Sequence, residues 1–366
     1  MRLIYMSAVP WASFAQRPHK FAQWFHNRTG GAVLWVEPYP TRFLGLRDLR
    51  RLRAPTPSIS AETPSWATVL KPGGLPIEPI PGSGWVNKQL WRHAFDVIGD
   101  FAGGAKVLLA IGKPSVMALV LLKRFRHYPS IYDAMDDFPA FYSGLSCLAM
   151  ARRERLIAQR ADTIWASSTA AYKHWSRYRD DVRLVHNGLD LSVLPPLSET
   201  AQGTSEKRVL GYVGTIAAWF DWDWVCALAQ ARPKDEIRLI GPVFQKPAKK
   251  LPDNIILLPA CNHEAALKAM MDFDVGLIPF KRNKLTDSVD PIKYYEYLAL
   301  ALPVLSTNFG EMRFRSNIPG VFISQSVSDS AELAESSFQF CRDRKDAHAF
   351  LLENSWEARF DAAKLL

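Results

Sequence analysis

The sequence lacks paired cysteines. Its 366 residues contain four cysteines, far apart and without CxxC spacing: Cys147, Cys226, Cys261 and Cys341. This spacing argues against a zinc ribbon or a disulfide framework, and we expect reduced, partly buried thiols in a cytoplasmic protein. The GxGxxG motif of dinucleotide-binding folds is also missing, which argues against a dehydrogenase.

Long apolar runs are missing too. The longest, at 107–122, is interrupted by Gly112, Lys113 and Pro114 and is too short to span a bilayer. Near the amino terminus, the apolar residues 3–6 precede Pro10, so we expect a buried strand there and no signal peptide. We therefore expect the chain to remain on the cytoplasmic side of the membrane.

Positive charge is concentrated in the first half of the chain. Residues 1–190 carry a formal charge of +11 and the remainder carries −2. Five arginines lie among apolar residues, and three tryptophans follow: Arg42, Arg47, Arg50, Arg51, Arg53, Trp66, Trp85 and Trp91. This pattern suits an anionic membrane surface, nucleic acid or a solvated helix face. No helix-turn-helix, zinc finger or RNP-type motif accompanies it, so we favour membrane contact over nucleic acid.

Predicted strands and helices alternate along the chain. The predicted strands are 3–6, 32–36, 106–110, 130–132, 163–166, 183–185, 208–213, 237–240, 255–257, 275–278 and 304–306. The predicted helices of the first half are 18–27, 87–98, 116–126, 144–160 and 170–178. This alternation indicates α/β domains with parallel sheets and right-handed crossovers.

A change of composition divides the chain. Prolines and small polar residues at 191–207 indicate a linker between domains at 1–190 and 208–345. Residues 346–366 are predicted to form a closing helix. We expect two Rossmann-like domains facing a cleft, with ligands at the carboxyl ends of the strands. His186-Asn187-Gly188 reads as a hinge at the domain junction.

The most informative segment runs from Asp287 to Val304. Pro291 lies at the start of a predicted helix, and Lys293 and Glu296 share one face of it near its positive end. A cation and free backbone N–H groups suit a diphosphate, and a carboxylate suits ribose hydroxyls. The alternative is an amphipathic helix with an ordinary salt bridge.

Two further loops follow predicted strands. Gly214 and Thr215 follow the strand 208–213, where a glycine allows backbone to approach a diphosphate. Asp221 and Asp223 could be mistaken for a metal-binding pair, but their position at a helix start favours an N-cap. We expect no metal.

The loop after the predicted strand 130–132 contains three closely spaced carboxylates. Asp133, Asp136 and Asp137 lie within five residues after the strand 130–132. Their mutual repulsion should raise at least one pKa toward the range of a general base. The alternative is a helix cap within a solvated acidic turn.

These motifs resemble those of GT-B glycosyltransferases. The segment Pro291–Val304 is similar to the donor-binding Pro-x-Lys-x-x-Glu-Tyr-x-Ala motif of that family, and Gly211–Trp222 is similar to its teichuronic-acid branch. The resemblance covers nearly the whole chain. It implies a GT-B fold whose closing helix, containing Ser355 and Trp356, packs back onto the first domain.

The resemblance also implies roles for individual residues. Enzymes of the teichuronic-acid and xanthan-glucuronyl type carry a Tyr-x-x-x-Asp segment after this strand, and Asp136 holds the position of its Asp. In the xanthan enzyme this Asp is the proposed base that deprotonates the acceptor, which implies that role for Asp136, with Asp137 as the reserve. The donor site would comprise Gly214, Thr215, Asp287, Ser288, Lys293, Tyr294 and Glu296. Arg17 and His19 would contact acceptor or phosphate, although a solvent-facing charge at a helix start is the alternative for Arg17.

The stereochemical course stays open at this point. Ser288 stands where retaining members usually carry a second Glu. A carboxylate base and the missing Glu fit inversion, whereas the wider family fits retention.

The sequence therefore predicts a metal-independent glycosyltransferase of the hexosyl or glucuronyl type. We expect it to move a sugar from a nucleotide-sugar, most simply a UDP-sugar, to a lipid-linked or oligosaccharide acceptor in bacterial surface-polysaccharide or exopolysaccharide synthesis. We expect a cytoplasmic, peripheral membrane protein that needs no cofactor and binds no nucleic acid. The alternatives are a non-catalytic GT-B-like binding protein and a nucleic-acid-binding protein.

Overall fold

A computed structural model describes residues 1–13, 15–41, 63–195, 207–341 and 343–366. These residues form two compact units, one comprising 1–185 and 363–366 and the other 186–362. The division falls directly before His186, where the sequence indicates a hinge. The predicted basic segment at 42–53 and most of the predicted linker at 191–207 lie outside the described residues.

The first unit contains a seven-stranded parallel sheet in the order β3-β2-β1-β4-β5-β6-β7. Its strands are β1 (Arg2–Met6), β2 (Val33–Val36), β3 (Ala67–Leu70), β4 (Val107–Ile111), β5 (Ser130–Ala134), β6 (Thr163–Ala166) and β7 (Val182–Leu184). The strand order reverses between β1 and β4, as in doubly wound nucleotide-binding folds. Every residue of β4 and β5 is buried, because helices cover both faces of a parallel sheet.

Several helices of the first unit begin or end at recognisable caps. They are α1 (Arg17–Thr29), α2 (Ser83–Leu90), α3 (Arg92–Ala102), α4 (Val116–Arg124), α5 (Gly144–Arg160) and α6 (Thr169–Trp175). The side chain of Ser115 accepts a hydrogen bond from the Ala118 amide at the start of α4, and Ser168 does the same for α6. Gly30 ends α1 with φ +64°, a left-handed conformation that favours glycine.

The predicted helix at 87–98 is wrong in one respect, because the structure has two helices there. Trp91 lies between α2 and α3 with φ −90° and ψ 5°. Its indole is fully buried and donates a hydrogen bond to the Gly73 carbonyl at 2.6 Å. The buried Trp91 side chain interrupts the helix, although the amphipathic pattern of the sequence continues through this position.

The second unit contains a six-stranded parallel sheet in the order β10-β9-β8-β11-β12-β13. Its strands are β8 (Val209–Val213), β9 (Glu236–Ile240), β10 (Ile255–Leu258), β11 (Val275–Ile278), β12 (Val304–Thr307) and β13 (Val321–Ser324). Its helices are α7 (Trp222–Ala231), α8 (His263–Met270), α9 (Ile292–Ala299), α10 (Ser330–Phe338), α11 (Arg344–Glu353) and α12 (Trp356–Ala362). The strand order again reverses, here between β8 and β11. The predicted α/β fold class is confirmed.

Two tryptophans of the predicted membrane surface are buried or partly buried in the first unit. Trp91 is fully buried, and Trp66 stacks on His26 with ring centroids 4.8 Å apart. Trp85 is 71% exposed, because it lies on the outer face of α2. Only the third tryptophan therefore fits a surface role.

The cysteines differ in part from the prediction. Cys147 and Cys226 are partly buried as expected, but Cys261 and Cys341 are exposed. All four are unpaired. Cys261 lies in the loop between β10 and α8, and Cys341 lies beyond α10, outside both sheets.

The carboxyl-terminal residues belong to both units. Helix α12 belongs to the second unit, where Ser355 bridges to Leu189 and the Trp356 amide donates to the Leu189 carbonyl at 3.0 Å. Residues 363–366 belong to the first unit, where Arg183 donates to the Lys364 carbonyl at 3.0 Å. The prediction that α12 packs back onto the first domain stays a prediction.

Among the described residues, no helix has the length and apolar character required to span a bilayer.

Candidate functional site

The reversal of strand order in the second unit brings two predicted site residues together. Gly214 directly follows β8, and Lys293 lies in the first turn of α9, which follows the neighbouring strand β11. The carboxyl ends of strands at such a reversal are where doubly wound folds bind ligands. The two motifs that the sequence analysis selected separately therefore meet at one place.

Gly214 lets the Lys293 side chain lie against the backbone. Its φ is +145°, and a Cβ there would lie 2.5 Å from Cε and 2.8 Å from Nζ of Lys293. Gly241, which follows β9, has φ +142°, and its Cβ would lie 2.2 Å from the Gly214 carbonyl oxygen. Side chains at these two positions would displace either the lysine or the adjacent turn. The neighbouring Thr215 accepts a hydrogen bond from the Tyr212 hydroxyl through its carbonyl at 2.9 Å.

Lys293 is a cation in a partly desolvated place. Burial lowers its pKa, and the nearby Glu296 carboxylate opposes that effect. Its Nζ lies 5.7 Å from the centroid of the Tyr212 ring. Within the described part of the chain, it has no ion-pair partner within 4 Å. A desolvated ammonium group of this kind gains most from an anionic ligand.

Glu296 lies one turn beyond Lys293 on α9 and meets α8. Its Oε1 lies 2.8 Å from Nε2 of His263, the first residue of α8. The His263 side chain is 48% exposed, whereas that of Glu296 is 11% exposed. Sequence reasoning missed this contact, because His263 and Glu296 lie in different helices and no ligand spacing marks His263.

Asp287 and Ser288 lie in the turn before α9, which packs on the loop after β12. The Arg313 guanidinium donates to the Asp287 carbonyl at 2.9 Å and also bonds its carboxylate. Gly310, with φ +44°, approaches this turn so closely that a Cβ would lie 2.6 Å from the Thr286 carbonyl oxygen. The Asp287 carboxylate therefore has a partner in the protein, and Ser288 lies in the same turn, partly buried.

Tyr294 packs inward. It is 4% exposed, and the Arg315 guanidinium lies 3.7 Å from the centroid of its ring. Its ring also meets Phe350 of α11 edge to face. Tyr294 therefore lies on the buried face of α9.

Asp290 is the centre of a buried network that the sequence analysis missed. Its carboxylate accepts hydrogen bonds from Arg315 at 2.7 Å, from the Tyr295 hydroxyl at 2.9 Å and from the Asn187 amide at 2.9 Å. Burial alone would raise the pKa of Asp290, but the Arg315 charge, the His186 ring and the Asn187 amide lower it well below its ordinary value. The Asn187 side chain also donates to the Asp290 carbonyl at 2.7 Å. This network fixes the segment that enters α9.

In the first unit, Arg17 is buried in an ion pair. It is 3% exposed, and its Nε and Nη2 each lie 2.9 Å from Oδ1 of Asp133 at the end of β5. Its Nη1 donates to the Val185 carbonyl at 2.7 Å, and the Tyr5 hydroxyl donates to Asp133 at 3.0 Å. Arg17 therefore faces the core and not the solvent, and its predicted phosphate contact stays a prediction.

His19 is held by the backbone at the start of α1. Its Nδ1 accepts from the Gln16 amide at 3.2 Å, and its Nε2 lies 3.1 Å from the Trp11 carbonyl. This arrangement fits a neutral ring that donates through Nε2, and burial lowers the pKa of His19, in agreement. A role in capping α1 is what the structure shows for it.

Asp136 differs from Asp133, the carboxylate that pairs with Arg17. It is partly exposed, and among the described residues none hydrogen-bonds to its carboxylate. Burial, followed by the Asp133 charge, raises the pKa of Asp136 to about 7, with Arg17 acting in the opposite sense. The predicted raised pKa is thus present, although burial and not charge crowding is its largest cause. Asp137 lies at the N-cap position of the short helix Phe138–Phe141 without making a side-chain cap bond.

A second carboxyl group with a raised pKa contacts the strand that precedes this loop. The Tyr132 hydroxyl donates to Oε1 of Glu154 at 2.6 Å, and Glu154 is 7% exposed on α5. Burial raises the pKa of Glu154 to about 8, with the Tyr132 hydrogen bond lowering it and Asp137 raising it. Sequence reasoning missed Glu154, because its distance along the chain hides the contact with β5.

The reversal of strand order in the first unit forms a small cavity. Its wall includes Met6 and Ser7 after β1, Glu37 and Tyr39 after β2, and Lys113 after β4. Lys113 donates to the Tyr39 carbonyl at 3.2 Å, and Glu37 accepts from the Trp11 amide at 3.1 Å. This place in the first unit corresponds to that of Gly214 and Lys293 in the second.

Asp221 and Asp223 form no metal site in the described part of the chain. The Asp221 carboxylate accepts from the Trp224 amide at 3.1 Å and caps α7, as predicted, and Asp223 lies in the first turn. Among the described residues, no three histidine, cysteine or acidic side chains are grouped in a way that could hold a metal ion.

Solved structures are similar in fold to this chain. A sucrose-phosphate synthase from Thermosynechococcus elongatus is 13% identical, has a TM-score of 0.71, and matches over 100% of this chain and 98% of its own. Anabaena Alr3699/HepE in complex with UDP is 12% identical with a TM-score of 0.63, over 100% of this chain and 99% of its own. This chain has the GT-B fold. The GT-B fold accounts for the two Rossmann-like units and for the repeated reversal of strand order.

One curated protein is similar to this chain in sequence. TuaH of Bacillus subtilis (strain 168), named as a teichuronic acid biosynthesis glycosyltransferase, is 30% identical over 200 residues. The match covers 49% of this chain, which spans about half the length of this curated relative. No family model matches the chain.

Proposed function

We propose that this GT-B protein transfers a sugar from a nucleotide-sugar to a hydroxyl-bearing acceptor in bacterial surface-polysaccharide synthesis. The observation that carries the proposal is the Lys293 ammonium, desolvated and without an ion-pair partner in the described chain, lying against Gly214 at the strand reversal. That place suits the diphosphate of a nucleotide-sugar. The UDP in the HepE structure and the name of TuaH support a UDP-sugar and a glycan pathway.

The chemistry follows from the proposed positions. The acceptor oxygen attacks the anomeric carbon, the bond from that carbon to the diphosphate oxygen breaks, and the nucleoside diphosphate leaves with the electron pair. Lys293 stabilises the charge that develops on the leaving group. Glu296 accepts hydrogen bonds from the ribose hydroxyls. With these groups offsetting the diphosphate charge, the reaction needs no metal in this proposal.

Asp136 takes the acceptor proton. The residue is partly exposed, and burial raises the pKa of its carboxyl group to about 7, which suits a general base near neutral pH. Asp137 is the alternative candidate for the general base. A carboxylate base of this kind favours inversion at the anomeric carbon.

In this proposal the first unit binds the acceptor. The cavity beside Ser7, Glu37 and Lys113 offers a carboxylate, a hydroxyl and an ammonium group to sugar hydroxyls. A peripheral position on an anionic membrane would bring a lipid-linked acceptor to this unit. An exposed stripe of α5 supports it, because Leu145 and Leu148 are 67% and 68% exposed and the exposed Arg152 and Arg155 lie on the same face.

Nucleotide binding is the first test. Thermal unfolding would be followed with UDP, GDP, ADP, TDP and CMP, since a ligand at about 100 times its Kd adds roughly 2.7 kcal/mol of apparent stability. We expect UDP to raise the melting temperature of the wild-type chain. Lys293→Ala should abolish the rise, and Gly214→Ala should do so by displacing the lysine.

Gly30→Ala is the matched control. Gly30 also has positive φ, but no atom lies within 4 Å of its Cβ position. Gly30→Ala should cost about 1 kcal/mol of stability through backbone strain. Gly214→Ala should cost more because its Cβ also overlaps Lys293, and only Gly214→Ala should lose UDP. UDP binding that survives in Lys293→Ala and Gly214→Ala would refute the proposed donor site. UDP binding without transfer from any UDP-sugar would favour a non-catalytic binding protein.

A further inference from the structure

The contact between α8 and α9 gives the donor site a residue beyond those of the known motif. Glu296 reaches its position on the side of α9 that faces α8, where His263 Nε2 lies 2.8 Å from Oε1. The carboxylate is mostly enclosed, with 11% of its side chain exposed. Its rotamer is therefore set by the groups around it and not by solvent.

His263 has the better access to solvent of the two. Its side chain is 48% exposed, and the preceding Asn262 caps α8 by accepting from the Ala265 amide at 2.8 Å. The cap fixes the first turn of α8 and thus the point from which the imidazole projects. A ring anchored in this way can hold a flexible glutamate in one orientation.

The second carboxylate oxygen of Glu296 then stays available. Among the described residues, none donates a hydrogen bond to Oε2. Lys293 lies one turn earlier on α9, beside Gly214. An anion held by Lys293 and a diol held by Glu296 would be neighbours, as the diphosphate and the ribose are in a nucleoside diphosphate.

We infer that His263 is a positioning residue for the ribose of the donor. It holds Oε1 of Glu296 so that Oε2 meets the vicinal ribose hydroxyls. This inference rests on the proposed donor site and adds to it a residue from a different helix. Its consequence is specific, because losing His263 should weaken only ligands that carry the hydroxyls.

Binding of UDP and of 2′,3′-dideoxy-UDP by the full-length chain tests it, measured by titration calorimetry. We expect His263→Ala to weaken UDP binding by about 3- to 10-fold, in the range of one ordinary hydrogen bond. The dideoxy compound should bind wild type less tightly than UDP does and should not respond to the substitution. In a transfer assay, His263→Ala should raise the donor KM with little change in kcat.

Two variants separate positioning from mere stability. His263→Gln, whose amide nitrogen can reach the place of Nε2, should restore most of the UDP affinity. Glu296→Ala should abolish the effect of His263→Ala in the double variant, because both act through one carboxylate. His348→Ala removes another exposed histidine of the second unit and should leave both affinities unchanged.

The failures are distinguishable. Equal weakening of UDP and dideoxy-UDP, or unchanged UDP affinity in His263→Ala, would overturn the role of His263 while leaving the donor site intact. Absence of UDP binding by the wild-type chain would overturn the donor site itself, and the inference with it.

Discussion

The burial of Asp136 has opposite consequences for stability and for catalysis. Its ordinary pKa of 3.8 is raised to about 7 in the folded chain, so the folded state binds more protons than the unfolded state between these values. The contribution of Asp136 to the free energy of unfolding therefore falls as pH rises from about 4 to 7. The same deprotonation creates the base, so wild-type turnover should rise with pH through about 7.

Asp136→Asn should separate the two effects. We expect turnover to fall about 100-fold or more, because the amide cannot accept the proton. At pH 8 the variant should be more stable than wild type by roughly 1–3 kcal/mol, a range reduced for residual solvation, with equal stability near pH 4. UDP release from UDP-sugars and urea unfolding at both pH values would measure these quantities.

Asp137→Asn is the control from the same loop. It should keep most of the turnover. If Asp137→Asn lost turnover and Asp136→Asn kept it, the base would be Asp137. Equal loss in both variants, without the stability gain at pH 8, would indicate damage to the loop.

At the scale of elements, the start of α9 depends on the buried Asp290 network. Replacing Arg315 with methionine leaves a buried carboxylate without its charged partner, which should cost about 3–5 kcal/mol. The depressed pKa of Asp290 means that its stabilising contribution is present above its ordinary pKa and lost as pH falls through the range below about 4. Wild-type stability should therefore fall on acidification more steeply than that of Arg315→Met.

Urea unfolding at pH 7 and pH 3.5 would measure both effects. The double variant Asp290→Asn with Arg315→Met should recover part of the loss, because no buried charge is left unpaired. Arg313→Met is the control, since Arg313 bonds the exposed Asp287 in the same region. A loss in Arg315→Met no larger than that in Arg313→Met would show that the buried pair contributes little.

Periodicity and turn signals predicted most elements, and the misses share a cause. Ala67–Leu70 and Val321–Ser324 were not predicted as strands, and both are four-residue strands that lie at an edge of their sheets and are only partly buried. The central strand Val275–Ile278 and helix Gly144–Arg160 match the prediction because each is long or fully apolar.

The candidate site was predictable only where one segment contains it. Lys293 and Glu296 share a helix, so their spacing gives their common face. The pairing of Asp133 with Arg17, or of Glu296 with His263, joins distant segments, and no local pattern encodes such a contact. That is why Arg17 was predicted as a ligand contact and His263 was not predicted at all.

At the scale of the whole molecule, charge separates the two halves of the chain. Residues 1–190 carry +11 and the rest −2, so an anionic surface should attract the first unit. The exposed face of α5 adds apolar contact through Leu145 and Leu148, followed on the same face by Arg152 and Arg155. Attraction by charge falls with salt, whereas apolar insertion does not, so the two contributions can be separated.

Sedimentation with vesicles would test this arrangement in the full-length chain. We expect binding to vesicles of phosphatidylcholine with phosphatidylglycerol, little binding to phosphatidylcholine alone, and partial loss at high salt. The double substitution Leu145→Ser with Leu148→Ser should remove the salt-resistant part. Phe244→Ser, which changes a 73% exposed phenylalanine of the second unit, should not. Two results would contradict the membrane prediction: equal vesicle binding by all variants, or tighter binding to single-stranded RNA than to anionic vesicles. Either would mean that the positive charge of the first half serves another partner. Exposed leucines give no advantage in binding a phosphate backbone, so they would not contribute to RNA binding.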